Sequence, residues 1–292
     1  MNIQQPTFEI WPQEPGLQGI FRQVERAGRV CYKSENHRTD SSAEPFVRRM
    51  MESQHTAMLE HATVYLQGTA GGDLEKYRHN RFTHCTENDG LLYVSTNLRV
   101  IVENGWTADL DTLCEPTSFH ERRVTVHFTT QVAISREFNR HRANSMAEQS
   151  TRYCNYSKDK FGGEVTVNEP VWVKAAMANE QPDTHREKLV ALCRDIAQSN
   201  GTTEWTDIDC WLFGNLAAEL AYMTLISHGR KPQEARVVLP LDINTELVHT
   251  AFVSDWKHFF DLRALGTTGA PHPDAKVLAL PLYEEFKQRG LI

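Results

Sequence analysis

The chain has no uninterrupted apolar run near the roughly eighteen residues that a membrane-spanning helix needs, which leaves it without a candidate span. Its first residues, MNIQQPTFEIWPQEPG, lack a basic region followed by an apolar one, so a cytoplasmic location with no membrane partner is expected. Positive charge is in short supply as well. Thirty-one lysines and arginines against 38 aspartates and glutamates give a formal charge of −7, which argues against a broad basic stripe for nucleic acid. Cysteine occurs six times, at 31, 85, 114, 154, 193 and 210, with no C-x-x-C pair. In a chain of this size that pattern reads as reduced thiols and not as a disulfide framework. Internal repeats and low-complexity segments are absent. The remaining composition, 40% apolar and 24% charged, suits a folded chain with a sizeable core. At 292 residues, one domain with insertions and two modest domains both fit.

After a proline-rich lead, residues 16–29 place Ile20, Phe21, Val24 and Ala27 at helical spacing. Ser41-Ser42-Ala43-Glu44 has the form of a capping box and predicts a second helix to about Ser53. Ala62, Val64 and Leu66 alternate as a strand does. His55 and His61 flank that junction at a spacing that suits no metal site, so structural roles come first. Residues 68–123 are less regular and read as an insertion surface. The spacing of His79, His84 and Cys85 is wrong for a metal and a fourth ligand is missing, so no metal is expected. Alternation returns at 124–129 and feeds a helix from Ala133 that carries Arg136 and Arg140 on one face, with Glu137 and His141 beside them. Residues 154–170 read as a polar loop with a Gly162-Gly163 turn. Helices are predicted over 183–200 and 205–227, the second apolar on nearly every face and therefore buried and central. Residues 234–262 suggest a short helix, a break at Pro240 and an apolar run ending before Arg263; a last helix over 274–289 should kink or split at Pro281.

The most unusual stretch runs from Arg136 to Tyr153 and holds four arginines, Arg136, Arg140, Arg142 and Arg152, in an acidic chain. Guanidinium forks in such density match phosphate or pyrophosphate. Three readings stay open on residues alone. Glu137 and Glu148 could neutralise a solvated face, and Ser145-x-x-Glu148 could merely cap a helix. Phe138 and Tyr153 could stack the bases of a single strand, against which the net charge speaks. The third reading is a pocket for a phosphorylated small molecule.

Arg140-His141-Arg142, seven residues, then Ser150-Thr151-Arg152-Tyr153 resembles the signature of the flavin-dependent thymidylate synthases, the ThyX family. AGRVCYKS at 27–34, HTAMLEH at 55–61, PQEARVVLP at 232–240 and FFDLR ending at Arg263 agree in order, so the resemblance spans roughly residues 20–275. It implies a single α+β domain over 1–292 with an insertion at about 69–123: a mixed α/β fold with a central antiparallel-rich sheet, flanking helices and a long buried helix. It further implies a homotetramer with shared active sites that makes dTMP from dUMP, with methylenetetrahydrofolate as carbon donor, FAD as redox carrier and NADPH as reductant. By the same resemblance His55, Arg140, His141, Arg142, Glu148 and His258 would hold FAD. Glu137, Arg140, Glu148, Gln149, Ser150, Thr151 and Arg152 would meet dUMP, with Arg236 from a neighbouring subunit. Arg263 would contact the pyrimidine and favour its ionised form, so Arg263, Arg152 and Ser150 are the candidate catalytic groups. Ser150 reads as a ligand and not a nucleophile, and Cys154 need not react, because the flavin route requires no protein nucleophile.

The chain departs from the family pattern at three places. Glu137 stands where glutamine is usual, Phe252-Val253-Ser254 where Asn-x-Arg usually contacts flavin, and Ala57 where a small hydroxyl residue is expected. A carboxylate can accept from an exocyclic amine, so Glu137 raises an alternative substrate, dCMP, or an alternative reaction, hydroxymethyl transfer. A relative that binds nucleotide without catalysis is the further alternative.

Overall fold

A computed structural model describes residues 1–177, 206–267 and 269–292. The lead holds two short strands, β1 (Asn2–Gln4) and β2 (Thr7–Trp11), that proline content had hidden. Helix α1 (Gly16–Val30) follows as predicted, with Ile20, Val24 and Ala27 buried on one face. Helix α2 (Ala43–Glu52) also forms, but without the predicted capping box. Ser42 instead donates its hydroxyl to Glu25 at 2.9 Å, which ties the entry of α2 to α1.

The 69–123 region is built and not merely appended. Strands β3 (Thr63–Thr69), β4 (His84–Asn88) and β5 (Leu91–Asn97) form an antiparallel sheet in the order β3-β5-β4, and helix α3 (Leu98–Glu103) leaves its edge. Leu74, Tyr77, Leu92, Val94 and Ile101 from this region share one core with Ile20, Val24, Phe46 and Val47 of α1 and α2. An insertion surface, the sequence-based expectation, would not supply half of a core. The pattern was missed because β4 and β5 are joined by the two-residue Asp89-Gly90 turn inside a polar stretch.

The central sheet has four strands in the order β2-β6-β9-β7, all antiparallel, where β6 is Arg123–Gln131, β7 Ser145–Glu148 and β9 Asn244–Phe252. Helix α4 (Val132–Phe138) leaves β6 directly. Ser145-x-x-Glu148 is thus the strand β7 and not a helix cap. The segment after it is not all loop, since β8 (Thr166–Asn168) pairs in parallel with β1. Helices α5 (Val171–Met177), α6 (Asp207–Ser227) and α7 (Pro232–Ala235) come next in the described chain. The helix predicted over 183–200 lies outside the described residues. Helix α8 (Val253–Phe260) starts where β9 ends, and α9 (Pro273–Gln288) runs through Pro281 as one helix, unsplit.

Pairing of Val124, Val126 and Phe128 with Ala251, His249 and Leu247 sets one face of the sheet. Against it α4, α8 and α9 pack Ile134, Phe138, Trp256, Phe259, Leu278 and Phe286, all buried. The other face lays Trp11, Ala147 and Val248 on Ala27 and Val30 of α1. Helix α6 begins on a true capping box, in which the Thr206 hydroxyl accepts from the Asp209 N–H and Asp209 Oδ2 accepts from the Thr206 N–H. It is not the buried central helix predicted for it. Trp211, Leu212 and Tyr222 are buried, whereas Leu220 is 70% exposed, with Val237 and Leu241 also open nearby in sequence.

Candidate active site

Helix α4 stops at Phe138, so Arg140, His141 and Arg142 lie in the turn beyond it and not on the helical face predicted for Arg136 and Arg140. This turn meets the end of α8, where the helix widens into a π-helical turn, Asp261–Leu265, closed by Gly266 at φ +71°. The wider turn carries Arg263. Its Nη1 donates to Glu137 Oε2 at 2.7 Å, its Nη2 to the Glu137 carbonyl at 2.8 Å, and its Nε to His141 Nε2 at 3.2 Å. Of the five N–H groups of a guanidinium, two remain for a ligand once these three are used.

His141 can accept from Arg263 only as neutral imidazole, and its surroundings keep it neutral. Burial, then the Arg263 cation, then His258 lower its pKa to about 4. Phe259 packs 4.9 Å from its ring and His258 5.8 Å. The structure therefore brings Glu137, His141, His258 and Arg263 into one cluster.

Glu148 reaches the same α4 because β7 pairs it with Leu247, on the face that α4 covers. Its Oε1 accepts from Ser135 at 2.6 Å and Thr245 at 3.3 Å, and its Oε2 from Asn139 at 3.1 Å. Ser135, Asn139 and Thr245 were not singled out in the sequence; the available signal was Asn139 inside the arginine-rich stretch and Thr245 on an alternating segment.

The Ser150-Thr151-Arg152 turn is held separately. The Ser150 N–H donates to the Cys31 carbonyl at 2.9 Å, and its hydroxyl accepts from the Arg152 N–H at 3.2 Å. Arg152 Nε donates to Gln233 at 3.1 Å, and Arg236 Nη1 to the Thr151 hydroxyl at 3.1 Å. Thus two guanidinium groups, both exposed, flank one turn within a single chain. Gln149 does not join them: it is buried and lines a separate cavity with Lys33, Tyr156 and Glu246. Burial first of all pushes the Cys154 thiol up to about 11, so it stays protonated near neutral pH and makes a poor nucleophile.

The remaining predicted residues are dispersed. Arg140 is exposed and makes no side-chain hydrogen bond among the described residues. Arg142 overlooks a cavity of about 650 Å³ whose wall includes Arg81, Arg99 and Arg123, none of them foreseen. His55 lines a smaller groove of about 400 Å³ with Tyr32, Met58 and Arg99, so Arg99 borders both spaces. His61 is structural, as expected: it is buried, with Nδ1 2.9 Å from the Thr250 hydroxyl.

Across residues 113–289 the chain matches the family described as thymidylate synthase complementing protein. The chain belongs to that family, ThyX. It is 39% identical over 88 residues to a flavin-dependent thymidylate synthase of Corynebacterium glutamicum, and this match covers 25% of the chain and 35% of that protein. The chain thus spans about a third of that relative's length in the match. The relative of the same name from Corynebacterium aurimucosum is 26% identical over 212 residues, covering 68% of this chain and 83% of the other. Among solved structures, a UMP/dUMP methylase, PolB, from Streptomyces cacaoi bound with 5-Br UMP aligns over 99% of this chain and 92% of its own, at 15% identity and a TM-score of 0.45.

Proposed function

We propose that this ThyX chain is a flavin-dependent thymidylate synthase that methylates dUMP reductively to dTMP, with methylenetetrahydrofolate as carbon donor, FAD as redox carrier and NADPH as reductant. The observation that carries the reading is the Arg263 cluster. A cation fixed on Glu137 and neutral His141, with two N–H groups left over, is suited to stabilise charge that develops on a pyrimidine oxygen as C5 is activated. Arg152 and Arg236 on either side of the Thr151 turn suit the nucleotide phosphate, with the Ser150 and Thr151 hydroxyls as its hydrogen-bonding neighbours. Glu148, fixed by three donors, suits the sugar or the cofactor as an acceptor.

The residues present also fit a flavin dinucleotide, because Arg142 is unpaired among the described residues and opens on a cavity walled by further arginines. Bound there, FAD would supply the hydride chemistry of the reaction. Arg140, His141, His258 and His55 are the other groups proposed to hold it. Glu137 gives one oxygen to Arg263, which compensates its charge and favours dUMP over dCMP or hydroxymethyl transfer as the substrate and reaction.

His55 and the Arg142 cavity share only Arg99 within one chain, which supports a site completed by other copies in a homotetramer. The exposed apolar side of α6 is the face we assign to that assembly. Leu220→Glu is expected to leave the protomer folded and to convert the tetramer to smaller species in light scattering; an unchanged mass would remove this face from the interface.

Purification with and without FAD, then anaerobic addition of NADPH with dUMP or dCMP, tests the function directly. Flavin absorbance should bleach faster with dUMP. Faster bleaching with dCMP would transfer the proposal to that base, and absence of flavin binding would leave a nucleotide-binding relative.

A further inference from the structure

The cavity beside Arg142 is closed by the 69–123 region, and its chemistry is that of an anion site. His84 of β4 packs its ring 4.2 Å from Phe252, at the end of β9, and Arg81 lines the wall next to it. Arg123 lies deeper. Its Nη2 donates to the Glu60 carbonyl at 3.0 Å and the Ser145 hydroxyl at 3.4 Å, and its Nη1 to the Thr63 hydroxyl at 3.4 Å. Its buried Nε donates to nothing among the described residues.

All of these acceptors are neutral, although a buried guanidinium is normally matched by a carboxylate. Burial lowers the Arg123 pKa to about 10, so it remains charged at neutral pH. Glu60 and Asp255 act on Arg123 through space, but neither carboxylate is hydrogen-bonded to it, and Arg99 takes Glu60 at 2.6 Å and Glu103 at 2.7 Å. Arg81 and Arg142 have no hydrogen-bonded partner among the described residues, and both are exposed at the rim. One cation at depth with no carboxylate hydrogen-bonded to it and a spare N–H, and two more cations at the mouth, describe a clamp for an anion bearing more than one phosphate group.

We propose that Arg81, Arg123 and Arg142 form a diphosphate clamp and that the 69–123 region, through Arg81, holds the diphosphate of the flavin dinucleotide. The assignment rests on the flavin reading above and extends it to residues outside the arginine-rich stretch. It also gives a physical role to the change at Phe252. The Phe252 ring seats His84, so the end of β9 positions the strand that brings in Arg81.

Calorimetric titration of the full-length protein with FAD, ADP and riboflavin tests the clamp. Arg81 is exposed, so Arg81→Ala should fold as the parent does, checked by its melting curve, whereas Arg123→Met is a buried change and serves only as a second variant. Arg81→Ala is expected to weaken FAD and ADP by about tenfold or more, with riboflavin, which has no phosphate, unaffected. Arg81→Lys should recover part of the loss. Unchanged FAD binding in Arg81→Ala overturns the clamp and leaves the flavin reading standing. Equal weakening of FAD and riboflavin overturns it too. Binding of ADP but not FAD, lost in Arg81→Ala, upholds the clamp and removes the flavin reading. Binding of neither in the parent protein overturns both.

Discussion

Replacing Arg263 with alanine is expected to lower kcat/KM for dUMP by about 10²- to 10³-fold, the usual cost of removing one well-placed donor from a site of developing charge. Flavin content should stay close to that of the parent. Three of the Arg263 N–H groups are bonded to Glu137 and His141, so its position is fixed before any ligand arrives. Arg263→Lys keeps the charge but loses the fork, and should restore only part of the rate. Glu137→Gln retains an acceptor for Nη1 and should cost far less than loss of Arg263. A second readout separates positioning from general damage. The Arg263 cation helps hold the His141 pKa near 4, so Arg263→Ala should let it rise, as followed by NMR titration of the ring. An unchanged rate in Arg263→Ala would remove this residue from the chemistry.

Which of these residues the sequence could disclose depended on whether a role was local. The arginine-rich stretch stood out because its residues are consecutive, and α1, β3, β6 and the start of α4 followed from periodicity. The strand β9 did not, although it is the centre of the sheet that places the site. Its residues NTELVHTAF are buried on both faces, so alternation between apolar and polar positions is masked by Glu246, His249 and Thr250, each buried against a partner from another strand. Long-range pairing of that kind leaves no trace in a local window. Helix α6 misled in the opposite direction: apolar residues on every side promise burial, but Leu220 is largely exposed in the single chain. The two capping-box patterns show the same limit. Ser145-x-x-Glu148 became a strand because β9 was available to pair with it, and at Ser41 the helix entry was fixed by Glu25 from α1 instead. Arg81 and Arg123 could not be assigned from sequence, since their relation to Arg142 exists only once β4, β6 and β9 have been brought together.

Acidification between about pH 6.5 and 5 should destabilise the protein by about 3 kcal/mol through two histidines alone, His61 and His249. Both are fully buried, and burial above all lowers each pKa to about 3. Their surroundings allow no easy escape. His249 Nδ1 accepts from Asn144 at 3.2 Å, and among the described residues the buried Nε2 of each ring has no hydrogen-bond partner. In the unfolded chain each ring binds a proton near pH 6.5, while in the folded chain it does not until about pH 3. The unfolded state therefore carries the extra protons throughout that window, so stability is fully present above pH 6.5 and is lost as the pH falls. Urea midpoints across the window give the slope, which should approach two protons for this pair. His249→Gln should reduce the slope by about one proton even if it lowers stability at neutral pH, because the titrating group is gone. A slope that does not change in this variant would mean that His249 is not held neutral by the fold. The consequence reaches the site: Asn144 binds His249 two residues from Arg142, and the His61 partner Thr250 pairs with Ser145 on β7, so protonating these rings would loosen the strands that carry the arginine-rich stretch.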